Sequence, residues 1–376
     1  MNAGTDGFTD FDRQMMRRAL ALAELGRYTT HPNPRVGCVI VQNGQVVGEG
    51  WHRKWGEPHA EPLALNAAGA AASGSTVYVT LEPHSYQSRT PPCTDALIRA
   101  GVRRVICGTL DPNPRVHGDG VRLLREAGIQ VDAGLLEAEA CKLNAGFAKR
   151  MTTGLPRVVV KIAASLDGRV ALANGESRWI TGAAARADVH RLRAEVGAVL
   201  TGIDTVIADD PQLTVRDTGI DLLGRQPLRV VLDSKLRMSS AARMLSQSGT
   251  TLVFTRAEHV SQGGSLAAKG AEVIGVKSDG AGRLELLEVL RELGRRMCND
   301  VLVEAGPTLA GSFIAAGLAD EVLVYLAPIA LGADAKAMLQ MPALQRLAEA
   351  PRFSLQLCTQ VGDDLRLSYF PIHQPQ

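Results

Sequence analysis

The chain has 376 residues, of which 45% are hydrophobic and 21% are charged, and its formal net charge is +2. This length is typical of two domains, and the composition excludes a mainly disordered chain. Because Lys and Arg nearly balance Asp and Glu, no nucleic-acid-binding surface is indicated. We therefore expect a small-molecule partner bound in a local pocket and no nucleic-acid partner.

The N-terminal residues and the cysteines indicate a cytoplasmic location. Residues 1–12 lack a charged segment followed by an apolar core, and no stretch of the chain is typical of a membrane span. The six cysteines include no Cys-x-x-Cys pair and no dense framework of the kind that forms disulfides in secreted proteins. We expect a reduced, cytoplasmic protein without membrane contact.

The first 150 residues predict alternating helices and strands. Residues 10–25 predict an amphipathic helix that begins at a capping box formed by Thr9 and Asp12. Asn43-Gly44 between two apolar runs predicts a hairpin with a type I′ turn. The other predicted elements are helices at 60–72, 94–100, 121–127 and 138–150, and strands at 76–81, 105–108 and 129–133. This order favours a layered α/β domain with partly parallel strands.

A turn-rich segment at residues 152–156 predicts the domain boundary, which gives domains of residues 1–153 and 154–376. The second half predicts strands at 158–163, 198–201, 229–232, 251–254, 301–304 and 322–326, and helices at 183–195, 284–297 and 309–316. Residues 353–357 and 365–370 predict a closing antiparallel pair. The predicted fold class is therefore α/β with two domains.

The sharpest local motif is His59-Ala-Glu61, followed along the chain by His84 and Cys93, each directly after a proline. Zinc deaminases combine a His-x-Glu motif with two further ligands after a proline, and the Glu moves a proton between water and the leaving amine. Cys93 precedes a predicted helix, whose dipole favours the thiolate. Three protein ligands leave the fourth position of a catalytic zinc to water. The alternative is a solvated His-x-Glu pair on a helix and a packed apolar cysteine.

Several further motifs carry a family resemblance. They are Asn-Pro-Arg-Val-Gly-Cys at 33–38, Pro-His-Ala-Glu at 58–61, Thr-Leu-Glu-Pro at 80–83, Arg-Thr-Pro-Pro-Cys at 89–93 and Asp-Pro-Asn-Pro at 111–114. With them the chain resembles, nearly end to end, the bifunctional riboflavin-biosynthesis deaminase–reductase family. The resemblance implies a cytidine-deaminase-like first domain that deaminates diaminohydroxyphosphoribosylaminopyrimidine. It also implies that Glu61 is catalytic and that Asn33 helps to seat the pyrimidine ring.

One departure from the family pattern falls on the metal site. The family usually reads Glu-Pro-Cys-Ser-His, whereas residues 82–86 here read Glu-Pro-His-Ser-Tyr, so that His84 stands where a zinc-binding Cys is expected. Histidine is a competent zinc ligand, and we predict a zinc site formed by His59, His84 and Cys93. The alternative is a decayed deaminase site in a chain that acts only as a reductase, with the first domain kept as a binding or oligomerisation module.

In the second half, three segments predict a strand that runs through a tight turn towards a helix, at residues 161–169, 201–216 and 303–309. Backbone N–H groups at such a helix start suit a diphosphate, although no Gly-x-Gly-x-x-Gly fingerprint is present. From the residues alone the prediction stops at a phosphate-binding α/β domain. Arg193 and Arg216 could equally be surface charges, and Trp179 could be a core residue.

The family resemblance gives specific predictions for the fold, cofactor and substrate of the second half. It implies a dihydrofolate-reductase-like fold that uses NADPH to reduce the ribosyl chain of 5-amino-6-(5-phosphoribosylamino)uracil to a ribityl chain. The NADPH contacts that it implies are Ala163, Trp179, Thr205, Asp209, Ser234, Gly306, Pro307, Thr308, Leu309, Ala310, Gly311 and Ser312. The substrate contacts are Lys161, Ser177, Arg193, Leu213, Arg216 and Glu304. Arginines suit this substrate because a guanidinium binds phosphate through two hydrogen bonds. We also expect a homo-oligomer.

Overall fold

The computed structural model describes residues 7–87, 90–217 and 219–372. The chain divides into two compact units, Met1–Gly154 and Leu155–Gln376, and each has its own hydrophobic core. Among the described residues, every helix is too short or too polar to cross a membrane.

The first unit is a five-stranded sheet with helices on both faces. Its helices are α1 (Asp10–Glu24), α2 (Ala60–Ala68), α3 (Cys93–Arg99), α4 (Asp119–Glu126), α5 (Glu137–Leu143) and α6 (Ala145–Thr153). Its strands are β1 (Gly37–Gln42), β2 (Gln45–Trp51), β3 (Thr76–Val79), β4 (Arg104–Cys107) and β5 (Gln130–Ala133). The strand order is β2-β1-β3-β4-β5. β1 is antiparallel to β2 and β3, whereas β3, β4 and β5 are parallel, as the sequence predicts.

Two local predictions are confirmed at the start of the chain. The Thr9 side chain accepts a hydrogen bond from the backbone N–H of Asp12, and the Asp12 carboxylate accepts one from the backbone N–H of Thr9. This is the predicted capping box. Asn43 and Gly44 both adopt positive φ, at 51° and 76°, as a type I′ hairpin turn requires.

Close packing of α2 on β2 places the start of α2 at the sheet. A Cβ atom on Gly50 would lie 2.4 Å from the carbonyl oxygen of Ala60 and 2.6 Å from the backbone nitrogen of Ala64. Only a glycine allows the two backbones to approach so closely. The first turn of α2, which follows His59, is therefore fixed against the sheet.

The predicted single helix at 138–150 is wrong, because the chain breaks it into α5 and α6 at Asn144. The Asn144 amide accepts a hydrogen bond from the backbone N–H of Arg35 at 2.8 Å and donates one to the Arg35 carbonyl at 2.9 Å. Asn144 has φ −120° and ψ 27°, which a helix interior does not allow. The two hydrogen bonds at this break thus hold the loop around Arg35 against the helices α5 and α6.

The second unit is built on a nine-stranded sheet. Its strands are β6 (Arg157–Ser165), β7 (Arg169–Ala171), β8 (Ala198–Gly202), β9 (Leu228–Leu232), β10 (Thr251–Arg256), β11 (Ala271–Val276), β12 (Asp300–Glu304), β13 (Glu321–Ala327), β14 (Lys336–Ala337), β15 (Phe353–Val361) and β16 (Asp364–Pro371). Its helices are α7 (Ala183–Glu195), α8 (Ile203–Asp209), α9 (Gly264–Ala267), α10 (Leu286–Arg295) and α11 (Pro307–Ala315). β7 and β14 form a separate two-stranded sheet.

The order of the large sheet is β11-β10-β9-β8-β12-β6-β13-β16-β15. Its neighbours are parallel from β11 to β13, and the predicted closing pair, β15 and β16, is antiparallel. Apolar residues of α10 and α11 pack on one face and those of α7, α8 and α9 on the other. The carboxyl ends of β6, β8 and β12 therefore lie side by side, where open α/β sheets bind ligands.

Candidate active sites

Three side chains of the first unit form a cluster of possible metal ligands. His59 is the residue before α2, Cys93 is the first residue of α3, and His84 lies in the loop after β3. One candidate ligand atom from each lies within 4.8 Å of the other two. The Nδ1 atom of His59 is 3.3 Å from the Sγ atom of Cys93. The structure thus brings together the three residues that the sequence predicts as a metal site.

His84 is the member of this cluster with unsatisfied polar atoms. Both of its ring nitrogens are buried, and within the described part of the chain neither forms a hydrogen bond of good geometry. Its ring centroid lies 5.2 Å from that of His59. Burial lowers the pKa of His84, although the Tyr86 backbone raises it by a smaller amount. Burial also lowers the pKa of His59, to about 4. Neutral imidazoles have the lone pair that metal coordination needs, and buried nitrogens without partners are costly unless a ligand satisfies them.

The chemistry of Cys93 differs from the sequence expectation. Burial raises the pKa of its thiol well above the ordinary value, so the start of α3 does not by itself produce a thiolate. A coordinated divalent cation deprotonates a thiol outright. The donor set of two neutral imidazoles and one cysteine therefore fits zinc, and the cation is what makes the cysteine an anion.

Glu61 lies in the first turn of α2 with only 3% of its surface exposed. Burial raises the pKa of Glu61 to about 7, and a hydrogen bond with Cys93 opposes that shift. A carboxyl group that titrates near neutrality can both accept and return a proton. Its position beside the cluster suits proton transfer.

One pocket of the first unit is lined by the two histidines of this cluster. Its lining includes Asn33, His59, Glu61 and His84. Arg89, the first residue of the motif at 89–93, lies outside the described residues.

In the second unit, Lys161, Arg193 and Glu304 come together where the carboxyl end of β12 lies beside the middle of β6. Glu304 is the register partner of Lys161 across these parallel strands. Arg193, from the last turn of α7, donates to both carboxylate oxygens of Glu304, at 2.6 Å from Nε and 2.9 Å from the terminal nitrogen. Its other terminal nitrogen donates to the Thr214 carbonyl at 3.2 Å. The Arg193 side chain is only 13% exposed, so it is not a surface charge.

The charges of this group influence one another. Burial raises the pKa of Glu304, but the positive charges of Arg193 and Lys161 outweigh burial and bring this pKa below its usual value. Burial and Arg193 lower the pKa of Lys161, whereas Glu304 opposes that shift. The Lys161 ammonium lies 5.8 Å from the centroid of the Tyr325 ring and forms no ion pair with any described residue. Lys161 is therefore the cation that remains available at this site.

The other predicted substrate contacts, Arg216, Leu213 and Ser177, lie on segments outside the group formed by Lys161, Arg193 and Glu304. The Arg216 guanidinium donates to the Gln212 side chain at 2.6 Å and is exposed. Leu213 is buried with φ 53°, on the same segment as Arg216. Ser177 lies between β7 and α7, and no contact between Ser177 and Arg193 or Arg216 is found within the described part of the chain.

Several predicted NADPH contacts lie near the sheet ends. Gly306 precedes α11 and Pro307 is its first residue; Thr308, Leu309, Ala310, Gly311 and Ser312 follow in the same helix. A Cβ on Gly306 would lie 4.0 Å from the Thr205 hydroxyl, which places Thr205 beside the start of α11. Ala163 is on β6. The Ser234 carbonyl, after β9, accepts a hydrogen bond from Arg256 at 3.1 Å.

Trp179 is not a core residue, because 69% of its surface is exposed. Arg186 lies over its ring, 4.5 Å from the centroid. The neighbouring Arg178 donates to the Asp209 carbonyl at 2.7 Å, which links the Trp179 segment to the end of α8. These exposed groups and the start of α11, which no side chain among the described residues caps, fit a dinucleotide.

Comparisons with known proteins cover both units. The sequence model described as the RibD C-terminal domain matches residues 156–367, and that described as the cytidine and deoxycytidylate deaminase zinc-binding region matches residues 9–109. The riboflavin biosynthesis protein RibD of Escherichia coli is 48% identical over 95% of this chain and 98% of that protein. The chain belongs to the riboflavin-biosynthesis deaminase–reductase family.

Solved structures agree with this membership. The structure of Acinetobacter baumannii RibD has 46% sequence identity and a TM-score of 0.90, over 96% of this chain and 99% of that one. The diaminohydroxyphosphoribosylaminopyrimidine deaminase/5-amino-6-(5-phosphoribosylamino)uracil reductase of Thermotoga maritima has 34% identity and a TM-score of 0.85, over 96% and 99% of the two chains.

The predicted fold class and activity are thereby confirmed. The enzyme combines a deaminase and a reductase of riboflavin biosynthesis, with zinc as the cofactor of the first and NADPH as that of the second. The findings lend no support to the alternative of a reductase with a degenerate deaminase domain.

The enzyme's deaminase pocket also contains residues to which the sequence analysis gave no role. They are His52, Asp111, Asn113, Val116, Tyr86 and Phe147. The motif at 111–114 was noticed for its resemblance and not given a role. His52 offered no signal, because a lone histidine after a strand has no distinctive spacing.

His52 fixes the orientation of the Asn33 amide. The Nδ1 atom of His52 lies 3.1 Å from the Pro58 carbonyl, and its Nε2 atom lies 3.0 Å from the Asn33 amide nitrogen. Since a carbonyl only accepts, Nδ1 carries the proton of the neutral ring and Nε2 accepts from Asn33. The Asn33 side-chain oxygen is therefore the atom left for a substrate.

Glu82 connects the His84 loop to the opposite wall of the pocket. Its buried carboxylate accepts hydrogen bonds from the backbone N–H groups of Asp111 at 3.0 Å, Gly118 at 2.9 Å and Val121 at 3.1 Å. These bonds fix the segment that carries Asp111 and satisfy the first turn of α4. The sequence showed Glu82 only as part of a motif.

Proposed function

We propose that His59, His84 and Cys93 bind the catalytic zinc and that Glu61 is the proton carrier of the deaminase. The observation that carries this assignment is the burial of both His84 ring nitrogens, without a hydrogen bond of good geometry to any described residue, beside the His59 Nδ1 and Cys93 Sγ atoms. A decayed site would have no reason to retain this convergence of three possible ligands on one point. The substitution of His for Cys is then a change of ligand and not a loss of the site.

The deamination replaces an exocyclic amine of the pyrimidine by oxygen and releases ammonia. Zinc, when bound, supplies a Lewis acid that makes a water molecule acidic. Glu61 accepts a proton from the attacking water and donates it to the leaving amine, which a buried carboxyl group of near-neutral pKa can do. Asn33, held by His52, offers its side-chain oxygen to an N–H group of the ring.

The ligand set changes the electrostatics of the site. A divalent zinc site with one thiolate and two neutral imidazoles has a net charge of about +1, whereas a site with two thiolates and one imidazole has a net charge of about zero. The cation is then a stronger Lewis acid, while the loss of a soft anionic ligand weakens its attachment.

In the reductase half, the start of α11 supports binding of the NADPH diphosphate through Gly306 and its neighbours. The further NADPH contacts are Ala163, Trp179, Thr205, Asp209, Ser234, Thr308, Leu309, Ala310, Gly311 and Ser312. The substrate contacts that we propose are Lys161, Ser177, Arg193, Leu213, Arg216 and Glu304, and Arg216 binds the phosphate. Among the described residues, the exposed Arg216 guanidinium donates only to a side-chain amide, which phosphate can displace.

The reduction needs one proton as well as a hydride. NADPH supplies the hydride, which is added at C1′ of the ribosyl group. The C1′–O4′ bond breaks, and the O4′ oxygen takes up a proton and becomes a hydroxyl group. Lys161 is the proton donor that we assign to this oxygen, since its ammonium is unpaired and burial lowers its pKa.

We assign the deaminase to residues 1–153 and the reductase to residues 154–376, in a cytoplasmic homo-oligomer. All six cysteines are free, which suits a reducing compartment. β15 is an edge strand, and its Leu355 and Leu357 are each 50% exposed, which suits pairing with a second copy. Light scattering after size exclusion tests this last point; a monomeric mass would contradict it.

A direct assay tests the catalytic assignments together. The zinc-loaded enzyme should release ammonia from diaminohydroxyphosphoribosylaminopyrimidine without NADPH, and it should then oxidise NADPH only after deamination. Absence of ammonia release from a zinc-loaded, folded enzyme would contradict the deaminase assignment. Oxidation of NADPH by the uracil compound would still support the reductase.

A further inference from the structure

No protein hydrogen bond of good geometry orients the His84 ring among the described residues, although both of its nitrogens are buried. A metal-binding imidazole usually donates from its second nitrogen to a carboxylate, a backbone carbonyl or water, and this bond fixes the orientation of the ring. A histidine ligand needs that help more than a cysteine does, because its planar ring must turn one nitrogen towards the metal. The contacts that restrain this ring are therefore of another kind.

Two aromatic neighbours contact the His84 ring. Its centroid lies 4.9 Å from that of Tyr86, and the two ring planes are nearly perpendicular, at 77°. The second neighbour is His59, with a centroid distance of 5.2 Å and an interplanar angle of 60°. Aromatic pairs attract each other at such distances, and perpendicular arrangements are among the preferred ones. Since His59 is itself a proposed ligand, Tyr86 is the neighbour that restrains His84 from outside the ligand set.

Tyr86 is in turn linked to the opposite wall of the pocket. The Arg115 guanidinium lies over the Tyr86 ring, 4.4 Å from its centroid, which is an attractive cation–π arrangement. The backbone N–H of Arg115 donates to the Asn113 side-chain oxygen at 3.1 Å, in the segment that the Glu82 carboxylate fixes at Asp111. The Tyr86 ring thus contacts both the His84 ring and a segment that is held independently of it.

We propose that Tyr86 is a positioning residue for His84, whose ring holds the imidazole so that one nitrogen stays beside the ligand atoms of His59 and Cys93. The two departures from the family pattern, at positions 84 and 86, are then a linked change, because the two side chains contact each other. The role needs the ring of Tyr86 and not its hydroxyl group. The inference rests on the proposed assignment of His84 as a zinc ligand.

The test measures the zinc affinity of the full-length variants Tyr86→Ala and Tyr86→Phe by competition with a chromophoric chelator. Tyr86→Ala should bind zinc about tenfold more weakly, and Tyr86→Phe, which keeps the ring, should match the parent within about twofold. Trp51→Ala is the control, because it removes another ring of the first unit that lies under an arginine, with Arg53 at 4.7 Å. It should bind zinc like the parent. A Tyr86→Ala enzyme with the affinity of the parent would overturn the inference.

The same substitution in a His84→Cys background separates positioning from general support of the fold. A thiolate has no ring to orient, so adding Tyr86→Ala to His84→Cys should change the zinc affinity by less than about twofold. A loss of about tenfold in both backgrounds would overturn the inference and assign Tyr86 to fold stability. So would an unchanged zinc affinity with a raised KM of deamination, which would make Tyr86 a substrate contact of the pocket that it lines.

Cobalt in place of zinc gives a readout that does not depend on turnover. The visible absorption bands of bound Co²⁺ report the geometry of the ligands, and they should shift in Tyr86→Ala and stay unchanged in Tyr86→Phe. If Tyr86→Ala does not fold, Tyr86→Leu serves instead, since it keeps bulk without the ring; the affinity and spectrum of the parent would then overturn the inference.

The parent and His84→Ala enzymes distinguish the two levels of the proposal. A parent that binds no zinc, or a folded His84→Ala variant that keeps it, would contradict the proposed ligand set. Loss of zinc in His84→Ala together with unchanged affinity and spectrum in Tyr86→Ala would contradict only the positioning role of Tyr86.

Discussion

The Nδ1 atom of His59 lies 3.3 Å from the Sγ atom of Cys93, although 34 residues separate them in the sequence. The two residues stand at the beginnings of α2 and α3, and the backbone N–H of Cys93 also donates to the His84 carbonyl at 2.9 Å. Three segments thus meet at one point through both side-chain and backbone contacts. This convergence supports the zinc assignment and leads to the first three predictions below.

Replacement of Glu61 by Gln should abolish deamination while zinc remains bound. The amide keeps the shape of the side chain but cannot carry a proton, and such groups contribute typically about 10²–10⁴ in rate. Ammonia release and zinc per chain are measured on the same preparation. Loss of zinc would make Glu61 a ligand, and an unchanged rate would remove it from the mechanism.

Removal of zinc with a chelator should stop deamination and spare reduction. The ligand cluster belongs to the first unit, and the described site of the second unit depends on Lys161, Arg193 and Glu304. NADPH oxidation is followed with the already deaminated substrate, before and after chelation. Equal loss of both activities would show that the reductase also depends on the metal.

Gly50→Ala should destabilise the first unit and reduce its zinc content. The added Cβ would lie 2.4 Å from the Ala60 carbonyl, so α2 must move away from β2 and take His59 with it. Overpacking of this kind typically costs about 1–3 kcal/mol. Gly264→Ala is the control, because nothing lies within 4 Å of the added atom. Equal melting temperatures for the two variants would contradict the packing argument.

Arg216→Ala should raise the KM of the reductase for its phosphorylated substrate. The expected cost is about 1.5–3 kcal/mol of binding, as for a hydrogen bond to a charged group. The same variant should act normally on the compound without phosphate, which serves as the internal control. An unchanged KM for the phosphorylated compound would assign Arg216 to the surface.

The sequence predicts most of the fold because the patterns are local. The bounds of α7 agree with the predicted 183–195, and the Asn-Gly turn alone specifies the first hairpin. β11 was missed because Gly275 interrupts its apolar pattern. The structure shows why position 275 is a glycine. A Cβ atom there would lie 3.0 Å from the Cα atom of Ala257, which begins the short 3₁₀ helix Ala257–Gln262. The break at Asn144 was missed because its partner, Arg35, is distant in sequence.

The candidate sites were predictable only where a residue type has its own chemistry. His59, Glu61 and Cys93 form such a motif, and the structure brings His84 to them. No local pattern of the sequence reveals that Arg193 forms an ion pair with Glu304, because the two residues are 111 positions apart in the chain. Roles that depend on a distant partner need the structure.

The central claim is that His84 is a zinc ligand of an active deaminase, and zinc per chain in the parent, His84→Cys and His84→Ala enzymes tests it most directly. The account predicts about one zinc per parent chain, retention in the Cys variant, and loss in the Ala variant, which leaves two ligands where a catalytic zinc site normally has three. Melting curves should show that the Ala variant stays folded. A parent without zinc at neutral pH, or a folded Ala variant that holds zinc as tightly as the parent, would contradict the assignment and favour a decayed site.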